Sequence, residues 1–172
     1  MYWLRAFLIW LMLALPASAQ QSAPSVLIID RERVFFETAY GQRLAEELAA
    51  LANELQAEND EIVATLTEEE RSLTQRRPEM TPEEFRAEAA TFDTKVQEVR
   101  RVRDAKTIDL QLANAEARTQ FDTAVQGIIA AIMIERGASL VMDERTAVLA
   151  VTAINITDAA IARIDAELGD GS

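Results

Sequence analysis

The chain has 172 residues, 29 of them acidic and 17 basic, with no histidine and no cysteine. A formal charge of −12 sets it against nucleic acid and anionic lipid, and the two missing residue types exclude disulfides, thiolate chemistry and histidine bases or metal ligands. With only 6% aromatic residues but abundant Ala, Glu, Leu and Arg, it favours long helices over a compact aromatic-rich core.

The first nineteen residues, MYWLRAFLIWLMLALPASA, place Arg5 before an apolar run and finish on Ala17-Ser18-Ala19. That is the pattern of a secretory signal peptide cut before Gln20. The run from Ala6 to Leu15 is shorter than the roughly 20 apolar residues that span a bilayer, so it reads as a cleaved signal rather than an anchor. The mature chain is then expected in an exported compartment, most simply a bacterial periplasm, with no stable membrane insertion. Loss of Arg5 leaves 16 basic residues against 29 acidic ones, a formal charge of −13.

SVLIID, Ser25 to Asp30, is a short β-branched run that reads as a buried strand. From Arg43 the period becomes helical. Leu44, Leu55 and Leu66 recur every 11 residues, as do Leu51, Ile62 and Leu73, which makes one apolar seam along one helix. Pro78 lacks an N–H and disfavours helix in the residue before it, ending this helix near Arg76. Thr81-Pro82-Glu83-Glu84 then supplies an N-cap, a proline at the first helical position and a capping-box glutamate. A second helix follows, with Val99, Leu110, Phe121 and Ile132 again 11 apart, and stops at a glycine C-cap, Gly137.

Two helices joined by so short a turn are expected to run antiparallel, the first spanning on the order of 50 Å at about 1.5 Å per residue. An 11-residue repeat averages about 3.67 residues per turn, so the pair is expected nearly straight. Beyond it, SLVMD (Ser139 to Asp143) and AVLAV (Ala147 to Val151) flank Glu144-Arg145-Thr146 and read as a hairpin. The chain closes on NITDAAIARIDAEL, with Thr157 or Asp158 as N-cap and Ile161, Ile164 and Leu168 on one face.

The fold expected is mainly α with a small β-body. A helical-hairpin arm, 43–136 with its turn near 77–82, projects from a short-stranded body made of 20–42 and 137–172. Val26, Ile28, Leu140 and Val148 are the expected body-packing residues, and Pro78, Thr81, Pro82 and Glu84 the turn residues. So small a body is marginal as a single core, and oligomerisation is the expected remedy.

Catalysis finds little support. Glu58/Asp60/Glu61 and Glu68/Glu69/Glu70 are carboxylate clusters on consecutive turns of one exposed helix, not two carboxyls facing across a cleft. Glu58 to Glu61 also lacks the spacing and turn glycine of a calcium loop, and no Gly-rich phosphate loop occurs, so no metal and no cofactor is expected. Folding the arm about residues 79 and 80 places Arg100 and Arg103 opposite Glu58 and Asn59. That group reads as a polar layer fixing helix register, with a partner-binding patch as the alternative.

In order and spacing, VLIIDRERVF, TAYGQRLAEEL, the long hairpin, GASLVMDERTAVLAV and the closing ITDAAIARI resemble the Skp/OmpH-like periplasmic chaperones, over about Val26 to Leu168. The resemblance implies a homotrimer whose strands form a central β-body and whose three hairpins project around a cavity. It implies an ATP-independent holdase that encloses unfolded outer-membrane β-barrel proteins. The best-known member is strongly basic, whereas this chain is strongly acidic, so no lipopolysaccharide or anionic-lipid site carries over. An envelope coiled-coil adaptor binding one folded partner is the alternative reading. If the signal is cut as its Ala-Ser-Ala site directs, mass spectrometry of protein recovered from the native envelope will find a chain starting at Gln20; an intact Met1 start would reopen its compartment.

Overall fold

The computed structural model describes residues 25–172; the signal-peptide reading of 1–19 lies outside the described residues. Strand β1, Ser25–Ile29, buries its last three residues, as expected of a short β-branched run flanked on both sides. One neighbour is β2, Ala138–Asp143, which pairs with it in parallel so that Val26 faces Leu140 and Ile28 faces Met142. Parallel strands need a long crossover, and here everything from residue 30 to 137 provides it. The other neighbour is Asn155, bridged to Ile28, with the Ile156 N–H donating to the Ile28 carbonyl at 2.9 Å.

Asp30 ends β1 and opens helix α1, Arg31–Glu37, its carboxylate accepting from the Arg33 N–H. Thr38 breaks the helical run without ending it for long. Its fully buried hydroxyl donates to the Val34 carbonyl at 2.9 Å and accepts from the Gly41 N–H at 3.3 Å, so one side chain closes α1 and caps α2, Ala39–Arg76. The two helices meet so closely that only glycine fits at 41, where a Cβ would lie 1.7 Å from the Phe35 carbonyl oxygen. The helical pattern therefore begins before Arg43, and neither α1 nor its cap was expected from the sequence.

After the turn comes α3, Pro82–Glu135, whose 54 residues extend about 81 Å at 1.5 Å per residue. It stops at Arg136, and Gly137 takes the positive φ of 63° that favours glycine after a helix. The last helix, α4, is Thr157–Leu168. Neither Thr157 nor Asp158 caps it. The Thr157 Oγ1 instead accepts from the Asp30 N–H at 2.9 Å, tying α4 to the end of β1, while the Asn155 side-chain oxygen accepts from the Thr157 N–H.

The core lies at one end of the molecule. Leu27 and Ile29 of β1, Val34 and Phe35 of α1, Leu44 of α2, Phe121, Val125, Ile128 and Ile132 of α3, and Ile156, Ala160 and Ile164 at α4 form one buried cluster. Phe35 meets Phe121 edge-on at 5.0 Å, and the Arg118 guanidinium lies 3.8 Å above the Phe35 ring. Core residues thus come from the first turns of α2 and the last turns of α3, inside the 43–136 span read as arm.

The expected hairpin is not there. Glu144–Thr146 forms a 3-10 turn pinned by Asp143, whose side chain accepts from the Arg145 N–H and whose carbonyl accepts from the Thr146 hydroxyl, and Ala147 to Val151 leaves it as non-strand chain. β2 finds its partner in β1, not in its neighbour along the chain. Of the four expected body residues, Ile28 is buried, Val26 is half-buried, Leu140 is about half exposed and Val148 is 96% exposed among the described residues.

Two glycines test this geometry from opposite sides. Gly41→Ala forces a methyl group into the α1 backbone and is expected to lower stability by about 2–4 kcal/mol. Gly127→Ala adds a methyl on α3 with nothing within 4 Å and is expected to raise it by roughly 0.5–1 kcal/mol. Thermal unfolding followed by circular dichroism checks both signs.

Candidate functional site

The part of α2 and α3 beyond the core is built from the turn back toward the base. Thr81 accepts from the Glu84 N–H at 3.2 Å, and the Glu84 carboxylate accepts from the Thr81 N–H at 2.8 Å, with Pro82 first in the helix. Pro78 sits within a 3-10 turn, Arg77–Glu79, between the two helices. The hydrogen bonds from the Thr81 backbone and hydroxyl hold the Glu84 carboxyl below its ordinary range, and those from Arg76 do the same for Glu88. A lowered carboxyl stabilises the folded turn at neutral pH. That contribution is lost as pH falls through the lowered values, so acid loosens this end.

Three ion pairs join the helices: Arg76 to Glu88 at 2.6 Å, Glu69 to Lys95, and Glu58 to Lys106. Their residues lie six, thirteen and twenty-four positions either side of Pro82. One set of numbers falls as the other rises, so the helices run in opposite senses over this stretch. The partner of Glu58 is Lys106, not Arg100 or Arg103, and neither arginine forms an ion pair among the described residues. The expected layer was displaced because side chains lean toward the N-terminus of their own helix. In an antiparallel pair they lean past one another, so contacting residues are not level in backbone.

Between Leu44 and Ala117 the pair buries only Leu73 fully; Leu55, Ile62 and Leu66 on α2 and Phe92, Val96, Val99 and Leu110 on α3 are half-covered. Two helices alone cannot cover both sides of a seam. Apolar side chains also remain outside it, with Val63 on α2 and Ile108 and Leu112 on α3 about half exposed or more. Open grooves run between the helices. The distal one, about 520 Å³, carries the Glu69–Lys95 and Arg76–Glu88 pairs; the one nearer the base, about 440 Å³, is lined by Leu51, Leu55 and Leu110.

Chemically the surface suits many shallow contacts. Among the described residues, no group of three or more acidic side chains is placed to hold a metal, and no helix is long and apolar enough to cross a membrane. At the base, a second apolar surface went unrecognised as such: Val148, Leu149 and Val151 are all exposed after the 3-10 turn. Their β-branched run was legible, but not that it would stand exposed and outside the sheet among the described residues.

The profile of a family described as outer membrane protein (OmpH-like) matches residues 25–164. The chain also superposes on a crystal structure from Caulobacter crescentus CB15, described by inference as an outer membrane chaperone (OmpH-like), with a TM-score of 0.76. The match covers 91% of this chain and 93% of that one at 20% identity, a likeness of fold. No curated protein matches.

The register is open to a charge-swap test. Lys106→Glu places two carboxylates together and is expected to cost up to about 1 kcal/mol, with Glu58→Lys in the same chain restoring most of it. Arg100→Glu and Arg103→Glu are expected to change the unfolding midpoint far less. Loss at the arginines with none at Lys106 would mean the layer expected from sequence is the true one.

Proposed function

The chain belongs to the OmpH-like outer membrane protein family, and we propose that it is an ATP-independent periplasmic holdase that captures unfolded outer-membrane β-barrel proteins. In this reading 20–42 and 137–172 form an assembling body and 43–136 forms an arm, three of which surround a client. The observation that carries it is the long helical pair standing beyond the core with its seam half-covered and Ile108 and Leu112 exposed. Unfolded barrels aggregate through apolar strands and open edges. Many weak contacts from several arms hold such a chain without one tight site.

Assembly as a homotrimer is supported by the base. The outer edge of β2 has no strand partner among the described residues, and Val148, Leu149 and Val151 offer apolar surface beside it. Burial of those residues against other copies adds to a core too small to be comfortable alone. Non-catalytic action fits the residue set, which lacks the commonest general base and the strongest nucleophile.

Light scattering of an unfolded outer-membrane barrel diluted from denaturant tests the reading. The mature chain, three copies by sedimentation at micromolar concentration, is expected to suppress aggregation. A variant lacking 66–76 and 85–95 keeps the Thr81 to Glu84 cap, preserves the 11-residue phase and removes both distal ion pairs whole. It is expected to assemble normally yet protect large barrels less. Equal protection after truncation would move the capturing surface to the base, and a monomer would remove the cavity.

A further inference from the structure

The two grooves differ in how their acids are used. In the distal groove the Glu69 and Glu88 carboxylates are already engaged by Lys95 and Arg76. Nearer the base, Lys106 is taken by Glu58, and the rims carry Glu54 on α2 and Asp109 on α3, both exposed and in no ion pair among the described residues. Between them lies an apolar floor of Leu51, Leu55, Leu110 and Ala113. Leu51 remains 42% exposed on that floor.

The α2 side of the groove is strongly negative, although Lys95 to Asp109 on α3 carries five basic residues against three acidic ones. From Arg43 to Glu70, α2 carries one basic residue and nine acidic ones. An apolar floor between two unpartnered carboxylates on opposite helices matches a side chain with an aliphatic stem and a cationic head. We propose that this groove docks segments of unfolded polypeptide in which lysine or arginine alternates with apolar residues. The stem lies on the leucines, the head sits between Glu54 and Asp109, and a flanking apolar side chain continues over Leu51 and Ala113. The inference rests on the holdase reading and adds to it a preference: the arm selects unfolded segments that are apolar and cationic together.

The test uses the mature full-length chain and fluorescent, unstructured peptides of alternating leucine and lysine, with glutamine or glutamate replacing lysine in two controls. Anisotropy is expected to rank lysine above glutamine above glutamate. Glu54→Gln with Asp109→Asn is expected to weaken the lysine peptide about fivefold, taking each exposed pair at roughly 0.5 kcal/mol. It should leave the glutamine peptide and the thermal midpoint unchanged. Glu46→Gln with Glu70→Gln removes the same charge from α2 outside the groove and is expected to leave lysine-peptide affinity largely intact. An equal loss from that control pair, an equal loss for lysine and glutamine peptides, or no binding by the wild type overturns the groove assignment. Barrel aggregation separates the two ideas: lysine-peptide binding without protection sinks the holdase reading alone, and protection without charge preference sinks this one alone.

Discussion

Two packed helices can bury only the stripe where they touch, and that shortage of burial governs the molecule. Beyond Leu44 and Ala117 no third layer among the described residues covers α2 and α3, so Leu55, Ile62, Val99 and Leu110 stay half-buried. Propensity does not hold so long a pair in one register; fixed points do. One is the Thr81–Glu84 capping box, where two orphan N–H groups are satisfied reciprocally. Another is the set of three ion pairs about Pro82, and the last is the base, where Phe121, Val125, Ile128 and Ile132 enter the shared core.

The base depends on the same helices it anchors. β1 and β2 are parallel and adjacent, yet the whole helical pair lies between them in sequence. Closing that sheet brings the far ends of α2 and α3 together, and Thr38, Gly41 and Thr157 hold the corners by buried hydrogen bonds and close backbone approach. What is left uncovered includes the sides of the helical pair and the apolar run from Val148 to Val151. In the proposed function the first meets an unfolded chain and the second meets other copies.

Local chemistry makes part of this legible in the sequence. Pro78, Thr81, Pro82 and Glu84 act within a few residues of themselves, so the helix end and restart can be read directly. Gly137 and the β-branched SVLII run are similarly local. The errors lie where the deciding partner is distant. Reasoning from β-propensity alone fails at Ala147 to Val151, because pairing of β2 with β1 across the crossover leaves that run without a strand partner among the described residues. Counting from the turn sets Arg100 and Arg103 against Glu58, whereas leaning side chains bring Lys106 there instead. Helix α1 is too short to show a period, though Asp30 before RERVFFE is a usable N-cap signal.

The central claim is that unfolded chain is held along the helical pair while the base stays closed. Hydrogen exchange of the mature protein, with and without a bound unfolded barrel, measures this directly. Added protection is expected along 45–116, strongest around Leu51 to Glu58 and Lys106 to Ala113, with the core amides of β1, α1 and α4 unchanged. Protection confined to the base, with the helical pair exchanging as freely as before, would contradict it.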